Sequence, residues 1–221
     1  MAAARSPRSR QRLGVVGAYR ARGHAHGNLW VVYSPKTNGD FVLTSDRALI
    51  HWACCLEGDA QVAHYELADR PHAGSGAGSD EPAWRVRYRD GHLERHRVGE
   101  QAACDEPGVG DASRAAPALG ARVFAEEELR ALAPQANHWL KVIAHAAVLR
   151  ASDQRPVTDA LRTIMQRERC GSVGAVLGAL GDFDAALVLA VLCRLALQGQ
   201  CRLEAQAGGL TLDASWSWMS A

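Results

Sequence analysis

Arginine is the residue type whose placement here most directly suggests chemistry. The 221-residue chain has two lysines, Lys36 and Lys141, so nearly all its positive charge is guanidinium. Arg85, Arg87 and Arg89 alternate within AWRVRYRDG, a strand-like spacing that puts three guanidinium groups on one face. Arg10, Arg12, Arg20 and Arg22 lie in the first 25 residues, which hold no acid. A planar guanidinium fork matches the oxygens of a phosphate, so both groups are candidate DNA contacts. The competing reading is a solvated arginine surface that reflects a GC-rich genome. Formal net charge is only +1, so any nucleic-acid contact must be local.

Other chemistry is thinner. His24-Ala25-His26 offers two imidazoles and no nearby third ligand. Gly171-Ser172-Val173-Gly174 lacks both the lysine and the preceding strand of a phosphate loop. No serine elbow stands out, and Cys54, beside Trp52 and Leu56, reads as core rather than nucleophile. The six cysteines (Cys54, Cys55, Cys104, Cys170, Cys193, Cys201) show no C-x-x-C spacing and read as reduced thiols of a cytoplasmic protein. The opening MAAARSPRSRQR lacks the apolar stretch of a signal peptide, and no run reaches the roughly 18 apolar residues that span a bilayer. No membrane role and no metal or other cofactor is expected.

The elements that would position these residues follow from period and punctuation. Residues 1 to 27 form an Arg/Gly/Ala arm, expected to stay mobile until something binds it. LWVVYS (29–34) and DFVLTS (40–45) predict two strands around a turn marked by Asn38-Gly39. A helix follows from Asp46 to about Glu57, capped by Ser45, and its third position, where a capping box carries Glu or Gln, is Ala48. QVAHYEL (61–67) alternates like a strand, and HAGSGAGSDEP (72–82) is a loop by composition. AWRVRYR and HLERHRV flank Asp90-Gly91 as a hairpin. A two-residue turn there predicts Arg85, Arg87 and Arg89 on one face with His92, Glu94 and His96, and Trp84, Val86 and Tyr88 on the other with Leu93. ARVFA (121–125) predicts a short strand after the loop of residues 99 to 120.

The last third is helical: about 126–150 with a break at Pro134, then 158–169, 172–180 and 183–198. CRLEA and LTLDA around Ala207-Gly208-Gly209 predict a closing hairpin. Three short helices and a hairpin are the order of a winged helix. Its third helix, FDAALVLAVLCRLALQG, presents Arg194 and few other polar groups, so protein docking is favoured over reading a major groove. Trp216 and Trp218 either anchor a partner or close the wing onto the helices.

YSPKTNGDFVLTSDRALIHWACCLEGDAQVAHYELADRP resembles the opening of the TnsA family, the restriction-endonuclease-like subunit of heteromeric transposases. RVFAEEELRALAPQANHWLKVI and the closing helices resemble its later parts, so about two thirds of the chain is covered. The resemblance implies an α/β fold: a restriction-endonuclease-like mixed sheet (28–150) followed by an α-helical winged-helix domain (151–221). It also implies three sources of metal-binding carboxylate: the third position of the helix after Ser-Asp, the start of the first hairpin strand, and an acid-x-Lys triplet in the second. Those positions are Ala48, Ala83 and Arg97-Val98-Gly99 here, so oxygens for a hard cation and the lysine are missing. Asp46, Asp90 and Glu94 are the acids to which a site could have moved. The expectation is a non-catalytic TnsA-like transposition protein. It would bind transposon DNA through Arg10, Arg12, Arg20, Arg22, Arg85, Arg87 and Arg89, and dock a DDE transposase subunit or an ATPase regulator. An endonuclease with relocated ligands and a pure protein-interaction module are the alternatives.

Overall fold

The computed structural model describes residues 29–44, 47–68, 83–98, 120–149, 154–204 and 210–219. Strands β1 (Leu29–Ser34) and β2 (Gly39–Thr44) pair antiparallel as a separate ribbon. Their turn holds Asn38 at φ 50, a conformation that Asn tolerates, and Tyr33 donates to Asn38 Oδ1 at 2.8 Å. Helix α1 (Arg47–Gly58) follows, with no acidic residue in its first turn. Ser45 and Asp46 lie outside the described residues.

Strands β3 (Val62–Ala68), β4 (Ala83–Tyr88) and β5 (Leu93–Val98) form an antiparallel meander, and β6 (Gly120–Phe124) adds parallel to β5. A parallel return needs a connection of about a dozen residues or more, a length that residues 99 to 119 supply. The inner face of this four-stranded sheet is apolar and packs on α1, where Trp52 meets Phe124 at 3.9 Å and His96 at 5.4 Å between ring centroids. Helices α2 (Glu126–Ala131) and α3 (Ala133–Ala146) are split as Pro134 requires, with the proline placed in the first turn of α3, where a missing N–H does no harm.

The hairpin register differs from the sequence expectation by one residue. Tyr88 N–H donates to His92 O at 2.8 Å, and Arg85 faces Arg95, Val86 faces Glu94 and Trp84 faces His96. The turn is therefore three residues long, closed by Gly91 at φ +88, the geometry of a turn with a bulge rather than of a two-residue hairpin. Because side chains alternate, the slip moves every residue of β5 to the other face. His96 and Glu94 join Trp84, Val86 and Tyr88 inside; Arg95 and Arg97 join Arg85 and Arg87 outside. The two-residue alternative would have turned Arg95 and Arg97 into the core, at a large desolvation cost.

After a short 3-10 turn (Ala147–Leu149) come α4 (Arg155–Glu168), β7 (Cys170–Ser172), α5 (Val173–Ala179), α6 (Ala185–Leu197), β8 (Cys201–Glu204) and β9 (Ser215–Trp218). Ser172 and Asp184 cap α5 and α6, accepting from Ala175 N–H at 3.2 Å and Leu187 N–H at 3.0 Å. The three strands pair in the order β7-β9-β8. LTLDA is not the second strand of the closing hairpin. Its backbone instead turns against the start of α5, with Leu212 O and Ala214 O accepting from Gly174 and Val173, and SWSW is the strand. Trp216 is buried and donates to Ser172 O at 3.1 Å, so it closes the sheet onto α5.

Helix α6 is the most buried element, packing on α3, α4 and the 3-10 turn. Arg194 is not displayed to solvent as expected: it is half-buried and donates to Leu149 O at 3.0 Å. The buried apolar residues form one cluster running from Val32 through Trp52, Trp84 and Val142 to Leu192 and Trp216. Among the described residues no helix is long and apolar enough to cross a membrane.

Candidate nucleic-acid interface

The outer face of the four-stranded sheet gathers Arg85 and Arg87 from β4 with Arg95 and Arg97 from β5. The first three are exposed and Arg97 is half-buried. Register places Arg85 beside Arg95, two cations directly across a strand pair, an arrangement that destabilises a sheet unless an anion is near. Glu66 on β3 relieves part of it, accepting from Arg85 at 2.6 Å, but that pair is half-exposed and worth little by itself. Arg87 lies between Leu93 and His64 in the strand order.

Arg89 does not belong to this face. Its Nε donates to Ala60 O at 2.6 Å and its terminal nitrogen to Gln198 O at 2.8 Å, tying the hairpin turn to the C-terminal end of α6. An arginine committed to two carbonyls is a brace between two parts of the fold. Arg10, Arg12, Arg20 and Arg22 lie outside the described residues. Sequence reasoning missed Arg95 and Arg97, and the signal was present: in phase with Val98 and His96, the positions between them had to face out.

The positions where the TnsA resemblance asks for metal ligands can also be placed. Ala48 is half-buried on α1, and Ala83 is buried and pairs with Arg97 across the β4–β5 ladder. Two of the three positions are thus sheet neighbours, and one now carries a guanidinium, which repels a cation. Of the acids considered as replacements, Asp46 is outside the described residues, and Asp90 sits in the hairpin turn accepting from His92 N–H at 2.9 Å. Glu94 points to the inner face. Its Oε2 accepts from His96 Nε2 at 2.8 Å and from Tyr88 OH at 3.0 Å, and its Oε1 lies 3.2 Å from His92 Nε2. Partial burial pushes Glu94 up, but the bonds from His96, Tyr88 and His92 outweigh it and hold the carboxyl at about 2. Among the described residues no group of three His, Cys, Asp or Glu side chains is placed to hold a metal ion.

His96 is the buried partner of that carboxylate. Burial lowers its pKa, although Glu94 opposes the shift. Its Nδ1 is buried with no hydrogen-bond partner, so protonation there would create an orphaned donor in the core. The imidazole is neutral, with its proton on Nε2 toward Glu94.

A second buried carboxylate anchors the β1–β2 ribbon. Glu57, fully buried at the C-terminal end of α1, accepts from Ser34 Oγ at 2.7 Å, from Tyr65 OH at 2.7 Å and from Lys36 N–H at 2.9 Å. Lys36 Nζ caps the same helix end, donating to Leu56 O at 2.8 Å and to Asp59 O. Burial drives the Glu57 pKa up against these bonds, and burial brings Lys36 down to about 8. Every bond of the group is satisfied within the fold, which makes it a structural anchor for the YSPKTN turn. Comparison of the chain with protein-family models, with curated proteins and with solved structures gives no match.

Proposed function

We propose that this is a non-catalytic, TnsA-like transposition protein that binds transposon DNA and docks a DDE transposase subunit or an ATPase regulator. The observation that carries the DNA reading is the outer sheet face, where Arg85, Arg87, Arg95 and Arg97 cluster with Glu66 as the one described acid bonded among them. Their mutual repulsion is relieved by a polyanion, and contacts of this kind go to phosphates rather than base edges, so binding is sequence-tolerant. The Arg-rich arm with Arg10, Arg12, Arg20 and Arg22 adds to that footprint.

Three features support the family reading. A helix, a three-strand meander and a parallel fourth strand make the mixed sheet that a restriction-endonuclease-like domain requires. The β7-β9-β8 order after α4 and around α5 and α6 is that of a winged helix. Ala48, Ala83 and Arg97 stand where the resemblance asks for metal-binding groups, which favours a binding role over cutting. Helix α6, the one a DNA-reading winged helix would lay in the major groove, is spent on contacts with α3 and α4, so this part favours a protein partner.

The test is paired. Fluorescence anisotropy with unrelated duplexes should show salt-sensitive binding, and supercoiled plasmid with Mg²⁺ or Mn²⁺, with or without a DDE transposase, should stay intact. Nicking that disappears on Asp46→Asn or Glu94→Gln would establish the relocated endonuclease. A chain that binds no DNA at low salt but co-purifies with a transposase or ATPase would establish the interaction module instead.

A further inference from the structure

Between α4 and the C-terminal half of α6 lies a cleft of about 220 Å³, walled by Arg155, Arg162 and Arg194 together with Thr158, Asp159 and Gln198. It is on a different part of the molecule from the arginine face of the sheet. Three guanidinium groups against one carboxylate leave its wall cationic. The bonds that hold the wall engage few of the available donors: Arg162 uses Nε toward Gln200 Oε1 at 3.1 Å, and Arg194 one terminal nitrogen toward Leu149 O at 3.0 Å. A guanidinium carries five N–H donors, so each of these side chains is positioned by one bond while presenting a fork to the cleft. Gln200 in turn donates to Gln198 Oε1 at 3.1 Å, and Gln198 O accepts from Arg89, so the wall is braced from behind. The first turn of α4, which opens into the same cleft, has no acidic residue and begins with Arg155.

We propose that this cleft binds a single phosphate group, as a free phosphate or as the terminal phosphate of a nucleic acid. Size supports one group rather than a whole nucleotide, since pockets for drug-sized ligands run from about 300 Å³ upward. Arginine forks set around an oxyanion provide charge-assisted bonds in bidentate geometry, and Thr158 adds a hydroxyl donor. Asp159 sits on the same wall and disfavours a fully deprotonated phosphate beside it, which favours a monoanion or a diester. The site does not rest on the sheet-face reading, and its failure would leave that reading untouched.

The experiment uses the full chain and inorganic phosphate, followed by isothermal titration and by thermal melting, with chloride at matched ionic strength as reference. Saturable binding and a raised Tm are expected, with affinity at least tenfold weaker in Arg155→Gln/Arg162→Gln. Arg155→Gln alone changes an exposed side chain, so it reports on binding even if loss of the Arg162–Gln200 bond loosens the fold; it should weaken binding severalfold with the apo Tm unchanged. Oligonucleotides with a 5′-phosphate or a 5′-hydroxyl then separate the sources. Tighter binding of the phosphorylated strand, lost in the double variant, identifies a nucleic-acid end, and equal binding with inorganic phosphate still retained identifies a free phosphate. No phosphate effect beyond that of chloride, or undiminished affinity in both variants, overturns the site.

Discussion

Replacing Arg85, Arg87, Arg95 and Arg97 together with Gln should flatten the salt dependence of DNA binding while leaving the fold in place. All four lie on the outer face of the sheet, so their removal opens no cavity and relieves the Arg85–Arg95 repulsion. Each phosphate contact contributes about 0.9 to the slope of log affinity against log salt, so four contacts make about 3.6, or about 2.7 if Glu66 keeps Arg85 occupied. Between 50 and 200 mM salt, roughly 0.6 log units, the natural chain should lose about 1.6 to 2.2 more decades of affinity than the variant. The assay is anisotropy with one labelled duplex at five salt concentrations, repeated with an unrelated sequence. Arg89→Gln is the internal control. Arg89 braces Ala60 and Gln198, so its loss should cost stability on the order of 1 kcal/mol and leave the slope within half a contact of the natural one. An unchanged slope in the fourfold variant would refute the interface. So would an Arg89→Gln slope change as large as that of Arg87→Gln with no loss of Tm.

Three further expectations concern the supports of this face. Glu57→Ala would strand the Ser34 and Tyr65 hydroxyls and the Lys36 amide in the core, for a loss of roughly 3–5 kcal/mol by denaturant unfolding; Glu57→Gln should lose less than half of that, and equal losses would mean that the charge rather than the bonding matters. A Cβ on Gly58 would fall 2.1 Å from Trp139 Cε2, so Gly58→Ala should wedge α1 from α3 and cost about 1–3 kcal/mol; an unchanged midpoint would show that Trp139 swings away freely. Glu94 is lowered in the folded chain from 4.5 to about 2, so the stability it contributes is present above pH 4.5 and lost as pH falls through about 2. Glu94→Gln should flatten that acid limb of the stability curve, and superimposable limbs would mean that the His96–Glu94 bond contributes nothing.

Much of the local structure was legible in the sequence because it depends on local physics. The strands at 29–34 and 62–68, the split at Pro134, and the helices capped by Ser172 and Asp184 follow from alternation, a missing N–H and a side-chain oxygen at a helix start. Which face each strand presents did not follow. Asp90-Gly91 suits either a two-residue or a three-residue turn, and the local chain does not decide between them. The decision came from the core: Trp52 and Phe124 accept His96, and burying Arg95 and Arg97 in its place would have cost far more than any turn preference. The same holds for Arg89 and Arg194, which read as free cations in the sequence but meet carbonyls of segments 29, 109 and 45 residues away. Glu57 carried a faint signal, because a carboxylate at a helix C-terminus opposes the dipole and needs another partner. That the partners are Ser34, Tyr65 and the amide of Lys36 was decided only when the ribbon folded back over α1. The sequence by itself determined where the arginines are, and packing determined which of them share a face open to solvent.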